Sequence, residues 1–376
     1  MPADIQKHTL LVVSDTPARK TQLGIQVYEP VLRELKMLIP YFDNIIWLTS
    51  NAEEGKYAMT PCDKSIDVVI MPSVYHKRWN WLFSIVNYPV FAFYILKYLG
   101  STNYVHTRGP SHPALITAML CTLDNRRKYW HKYAGDWMNS KMPFTYRLQK
   151  KLLGKMKSNA KVTVNGSWNN AGHILSFENP CIAEAELQHA TKAAANKSFD
   201  GDLTLLYAGN LYEAKGVLQL LEALAQSLPT AIKKCIIAGD GMLRAEVERR
   251  AKEMQHVNIV VTGALNREEL NRCYEQAHIL ILPSASEGFP KVVAEAAAYG
   301  CIPVVTALSA IPQYIKTGVN GYLLNDNKAS TISDALHNLV TNHNLEGLSK
   351  EVRKICPSFT YEYYAKRVTT ELFDIT

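Results

Sequence analysis

The chain has 376 residues, 47% hydrophobic and 20% charged, with 19 glycines and 17 prolines. That much apolar material excludes a disordered, collagen-like or disulfide-scaffold protein, and the length suits two domains better than one oversized core. The net charge of +7 is uneven: residues 1–185 hold 22 Lys/Arg against 13 Asp/Glu, and residues 186–376 hold 19 against 21.

In the first half, strands are expected at 10–14, 45–49, 68–71, 104–106, 129–134 and 162–164, with helical stretches between. The apolar run 10–13 is too short for a secretory signal and no small-residue cleavage site follows, so a cytoplasmic protein is expected. Segment 81–99 has 15 hydrophobic residues in 19, long enough to span a bilayer. Asn87, Pro89 and Lys97 interrupt it, which favours a buried helix pair over a membrane-contacting element. His76, Lys77 and Arg78 just ahead of it would suit lipid headgroups.

Residues 126–161 carry eleven Lys/Arg and one acid, Asp136. Within them Phe144, Leu148, Leu152 and Met156 recur every four residues, ringed by Arg147, Lys150, Lys151, Lys155 and Lys157. This pattern reads as an amphipathic helix with a solvated basic face, or one attached to an anionic membrane surface. Nucleic acid is the weakest partner, because no nucleic-acid fold signature accompanies the charge.

Residues 184–202 are polar and Ala-rich without a core pattern, so the linker is placed there. Beyond it, strands at 203–208, 235–238, 257–261, 279–283 and 302–305 alternate with helices at 216–228, 243–254, 267–277 and 290–299. Continuous Val/Ile/Leu strands imply burial on both faces, hence a parallel sheet between helices and an α/β class. Asn266 with Glu269 forms a capping box, Pro290 opens the fourth helix and Gly300 closes it. Segment 360–373 reads as an aromatic-rich helix that needs a partner surface. Two such domains create a ligand cleft at the strand C-termini. The seven cysteines are scattered, so neither disulfides nor a zinc site is expected.

Gly239-Asp240-Gly241 follows a strand, but Arg244 stands where a dinucleotide fingerprint needs its third glycine, and a tight turn is the better reading. Lys215 before a helix is either a solvated loop residue or an anion partner. The densest constellation runs from Pro283 through Ser284, Glu287, Gly288, Phe289 and Pro290 to Glu295. Strand, small-residue loop and helix follow at once, placing backbone amides of 288, 289, 291 and 292 near a helix N-terminus. Those amides suit an anion or polyol, and the two glutamates would accept sugar hydroxyls.

The stretch SEGFPKVVAEAAAYGCIPVV, with GVNGYLL (318–324), YAGNLYEAKGVLQLLEAL, IIAGDG and VTGALNREELNRCYEQAHILILPS, resembles the donor region of family 4 retaining glycosyltransferases (glycosyl transferases group 1) over 203–325. HTRGP (106–110), KYAGDW (132–137) and TVNGS (163–167) match loosely. The resemblance implies a GT-B fold: two Rossmann-like domains with parallel sheets facing across a cleft. Residues 1–185 would form the acceptor domain, joined by a returning helix at 358–376, and residues 186–357 the donor domain. It implies sugar transfer from a nucleotide diphosphate-sugar to a glycan or lipid-linked acceptor in cell-surface polysaccharide assembly. No metal or cofactor is expected, since the resemblance implies a fold that needs no bound metal.

By the resemblance Glu287 contacts the donor sugar and Glu295 the ribose. Gly288, Phe289, Val292 and Val293 offer backbone amides to sugar and diphosphate, Lys215 neutralises the leaving group, and Gly263 and Ala264 border the base. Gly209 and Asn210 line the same site, but Asn210 stands where the family usually has Arg. Arg19, Lys20 or Arg108 would substitute from the acceptor side. The Gly-rich turn usual after the first strand is replaced by Ser14 to Arg19, and Asp136 falls where relatives carry His. Asp136 either takes that polar role or pairs with a neighbouring Lys, and His106 at a strand end is either a cleft residue or a satisfied structural histidine. Both stand as catalytic candidates beside Glu287 and Lys215. The alternatives are a non-catalytic sugar-nucleotide-binding scaffold or a GT-B sugar-nucleotide epimerase.

Overall fold

The structure, a computed structural model, describes residues 8–51, 59–72, 80–138, 142–168 and 171–375, with the backbone alone for 80–86. His76, Lys77 and Arg78 lie outside the described residues. The chain divides into two units, Met1–Glu178 with Tyr361–Thr376, and Asn179–Thr360.

Among the described residues the first unit holds a nine-stranded sheet of β1 (Thr9–Thr21), β2 (Gly24–Tyr28), β3 (Asn44–Asn51), β4 (Met59–Pro61), β5 (Ile66–Met71), β6 (Tyr104–Gly109), β7 (Lys128–Tyr133), β8 (Ala160–Val164) and β9 (Ile174–Ser176). Its ladders are parallel except for β1–β2 and β2–β4. Alternate residues of β1 enter two cores: Leu11 and Val13 join Phe91, Ile95, Ile116 and Leu153, while Leu10 and Val12 join Leu32, Leu35, Trp130 and Phe373. That double burial is why the strand reads as an unbroken apolar run.

The first strand outlasts its expected end at Ser14. Its register with β3 shifts between Val13 and Pro17, and it then runs on to Thr21 before turning back at Gly24. Arg19 donates to Gln26 Oε1 across this hairpin through Nε (2.9 Å) and Nη2 (2.7 Å). Its register sets Ala18 against Val27, Arg19 against Gln26 and Lys20 against Ile25, an apolar alternation too short for periodicity to register.

The expected helix pair is one helix, Asn80–Leu99, that continues through Pro89. Pro89 sits on the exposed side, where the carbonyl that loses its partner can turn to water. Among the described residues no helix is long and apolar enough to cross a membrane. The helix Phe144–Leu153 turns only the end of its expected stripe inward: Phe144 is 68% exposed and Leu148 and Leu152 half-buried, while Met156 and the neighbouring Leu153 are buried. Arg147 and Lys151 are exposed, as either reading of the basic face requires.

The C-terminal segment finds its partner surface in the first unit. It forms the helix Tyr361–Arg367 and a π-helical stretch Val368–Phe373. The Phe373 ring lies 5.1 Å from Tyr104, 5.8 Å from Phe42 and 5.9 Å from Trp130.

The second unit contains β10 (Leu203–Ala208), β11 (Ile232–Ala238), β12 (Asn258–Gly263), β13 (Ile279–Leu282), β14 (Ile302–Thr306) and β15 (Tyr322–Leu324). All pair in parallel, in the order β12-β11-β10-β13-β14-β15. The expected linker is largely a helix, Glu184–Ala195, that belongs to this unit. Alanine is the best helix former, and Ala190 and Ala194 bury a stripe too small to register as a hydrophobic pattern. The Glu186 carboxylate closes the helix start by accepting from the Ala183 amide (2.7 Å). The Asn266–Glu269 box is present in both directions, while Pro290 is the N-cap of a helix that begins at Lys291.

Candidate functional site

The chain leaves β10 outward to β11 and β12, then returns to β13 on the other side. The loops after β10 and β13 therefore diverge at the C-terminal edge, the position where open parallel sheets bind ligands. Gly209, Asn210 and Lys215 follow β10; Glu287, Gly288 and Phe289 follow β13; Gly263 ends β12.

Two loops meet here because Gly216 permits it. Gly216 has φ +73°, and a Cβ there would stand 2.0 Å from the Pro283 carbonyl oxygen. The Ala285 amide donates to the Ala214 carbonyl (2.8 Å), closing the contact. Lys215 Nζ comes 2.5 Å from Glu287 Oε1, which also accepts from Ser284 Oγ (2.9 Å). Burial and then the Glu287 charge push the Tyr207 hydroxyl above its usual pKa. It stays a donor, to the Asn210 carbonyl (3.0 Å), and supports the first loop from below.

The Phe289 ring anchors the second loop, stacked on Phe359 at 4.8 Å and edge-on to Tyr314 at 4.8 Å. The helix Lys291–Ala298 that follows has no side-chain cap. Val293 was expected to offer its amide to a diphosphate, but that amide donates to the Pro290 carbonyl (3.0 Å). Val292 belongs to the first turn, whose amides have no carbonyl one turn back. Gly239 packs backbone on backbone: a Cβ there would stand 1.9 Å from the Gly209 carbonyl oxygen, and its amide donates to Gly263 (2.9 Å). The tight-turn reading of that glycine pair is the structural one. Ala264, next to Gly263, is exposed.

Glu295 is buried with both oxygens engaged. Oε1 lies 2.8 Å from Arg267 Nη1, and Oε2 accepts from the Tyr274 hydroxyl (2.8 Å). Ser284, Arg267 and Tyr274 were not assigned roles from sequence. Ser284 stood inside the motif, whereas Arg267 and Tyr274 looked like ordinary residues of an amphipathic helix.

The first-unit candidates do not form a comparable cluster. His106 is wholly buried, stacked on Trp130 at 3.6 Å between ring centres. Burial, then Arg108 and Lys132, push its pKa well below the usual histidine value. It is a neutral core residue, not an accessible catalytic base. Arg108 Nη1 and Lys132 Nζ both reach Glu34 Oε2, at 2.6 and 2.8 Å, so Arg108 is committed to a buried carboxylate. Arg19 is committed to Gln26. Asp136 lies just past β7, half-buried, and accepts from the Met138 amide (2.9 Å) in a local turn.

Residues 189–354 match the model of the family described as Glycosyl transferases group 1. The match lies wholly within the second unit and spans less than half of the chain. An uncharacterized glycosyltransferase of Methanocaldococcus jannaschii is 32% identical over 124 residues, 32% of this chain and 32% of that protein. The lipopolysaccharide 1,2-N-acetylglucosaminetransferase of Salmonella typhimurium is 26% identical over 182 residues, 45% of this chain and 47% of that protein. The chain thus spans about a third to a half of the length of these relatives. The crystal structure of Anabaena HepE with UDP and glucose superposes with a TM-score of 0.67 at 14% identity, covering 97% of this chain and 99% of that one. That likeness is one of fold: the chain has the GT-B architecture.

Proposed function

We propose that the protein transfers a sugar from a nucleoside diphosphate-sugar to an acceptor hydroxyl with retention at the anomeric carbon. The observation that carries this reading is the meeting of Lys215 and Glu287 at the divergence of two loops, beside the uncapped helix start at Lys291. Glu287 accepts hydroxyls of the sugar, while Lys215 and the first-turn amides face the diphosphate. The bond from the anomeric carbon to the diphosphate oxygen breaks as the acceptor oxygen bonds on the same face, and the acceptor proton passes to the departing phosphate. On this reading the neutralising charge comes from the chain, without a metal or cofactor.

Thermal shift against UDP, GDP and ADP tests it. A nucleotide at a hundred times its dissociation constant adds about 2.7 kcal/mol of stability. One nucleotide should raise the melting temperature, and its sugar conjugate should do so too. No shift with any of the three would overturn the reading.

We further propose a lipid-linked acceptor at the cytoplasmic membrane face, in cell-surface polysaccharide assembly, a reading that a separate observation supports. Pro89, Phe93, Leu96 and Lys97 share the outer face of the helix Asn80–Leu99, with Phe93 62% and Leu96 54% exposed. Arg127 Nε donates to the Leu99 carbonyl (2.9 Å), which places the turn carrying exposed Leu123 and Arg126 at the end of that helix. Apolar residues edged with cations suit an anionic bilayer surface. The protein should sediment with phosphatidylglycerol vesicles at low salt and be released by Phe93→Glu with Leu96→Glu. Equal sedimentation of the variant, or none of the native chain, would reject this surface.

A further inference from the structure

The Glu295 carboxylate has two partners, one on each oxygen. Arg267, in the first turn of the helix Arg267–Gln276, holds Oε1; Tyr274, two turns on in the same helix, holds Oε2. Both partners are themselves fixed. Arg267 Nη2 donates to the Cys181 carbonyl (2.9 Å), and its Nε lies 3.6 Å from Glu186 Oε1. Tyr274 is fully buried and stacks on Tyr299 at 5.7 Å. Burial opposes the Arg267 charge, but Glu295 and Glu186 outweigh it and hold the guanidinium above its ordinary pKa.

A carboxylate has about four lone-pair sites, two per oxygen. The clamp takes one from each oxygen and leaves one on each. Two acceptors fixed side by side match two donors on adjacent carbons, which is the arrangement of a vicinal cis-diol. A free glutamate would have to freeze three side-chain torsions to present the same pair, and that ordering opposes binding.

We infer that Arg267 and Tyr274 are positioning residues that fix Glu295 as a paired acceptor for the ribose diol of the nucleotide, so that the site selects ribonucleotides over 2′-deoxyribonucleotides. The inference rests on the donor-site reading above and adds to it two side chains on a helix that need not touch the ligand. A planar guanidinium orients a carboxylate through its fork, which a lysine ammonium cannot do.

The test compares dissociation constants for UDP and 2′-deoxy-UDP, and for GDP and 2′-deoxy-GDP, by calorimetry. The proteins are the native chain, Glu295→Gln, Arg267→Lys and Tyr274→Phe. The native chain should favour the ribonucleotide by about tenfold, the scale of one well-placed hydrogen bond to a charged group. Arg267→Lys and Tyr274→Phe should each cut that preference to about threefold or less while leaving the deoxynucleotide affinity within about twofold of native. A purely structural role would weaken both nucleotides alike. Where Arg267→Lys fails to fold, Tyr274→Phe, which removes one hydroxyl, carries the test alone. Full ribose preference in both positioning variants, with loss in Glu295→Gln, overturns the inference and leaves the donor site standing. Full preference in Glu295→Gln as well, or no nucleotide binding by the native chain, overturns the donor-site reading itself.

Discussion

Lys215→Met should lower glycosyl transfer by about 10²–10³-fold at saturating donor, the cost of removing one preorganised partner of a developing charge. Lys215 Nζ rests 2.5 Å from Glu287 Oε1. Its side chain keeps 29% exposure, against 11% for Glu287. The cation is therefore held at the site and still within reach of an incoming diphosphate. As the glycosidic bond breaks, negative charge grows on the phosphate and the ammonium gains an interaction it lacked in the ground state. The loss should accordingly fall on kcat more than on KM for the donor. Asn210, exposed beside it, brings no second fixed cation, which places more of the burden on Lys215. Activity of Lys215→Met within about threefold of native would show that the pair is structural.

Glu34→Leu should destabilise the first unit by about 3–5 kcal/mol, because it leaves two cations in the interior without their shared carboxylate. Glu34 is 1% exposed in its side chain, Lys132 5% and Arg108 14%. Desolvating a cation is tolerable when a carboxylate sits within hydrogen-bonding distance and costly once it is gone. Each of the six tryptophans lies between residues 47 and 168. Tryptophan fluorescence during urea unfolding therefore reports the first unit alone. The midpoint should fall sharply in Glu34→Leu, and an unchanged midpoint would mean the two cations find water or other acceptors.

The second unit was the more legible half, for a physical reason. Strands buried on both faces write themselves as runs such as 203–208 and 279–282, and the donor residues follow those runs directly. The contact of Lys215 with Glu287 was implied only by resemblance, since it depends on Gly216 meeting Pro283, 67 positions away, without a Cβ between them. What stayed hidden shares a different character. Glu34 meets Arg108 and Lys132 across separations of 74 and 98 residues, which leave no local pattern. The hairpin closed by Arg19 and Gln26 offers only Ile25 and Val27 as an alternating pair, and the Glu184–Ala195 helix buries alanines, signals too small for apolar periodicity to register. His106 looked like a cleft residue at a strand end, but strand β6 runs three residues further and leaves it in the core.

The return of residues 361–373 to the first unit also orders events during synthesis. On a ribosome the strands β1 to β9 emerge first, yet their core lacks the Phe373 ring and the Tyr364, Val368 and Leu372 side chains that complete it. The second unit, contiguous from Asn179 to Thr360, is made in between and can close on its own residues. At about 5–20 residues per second the interval is about 10–40 s. Throughout it the apolar surface around Trp130 and Phe42 waits uncovered, so the first unit is made first and finished last.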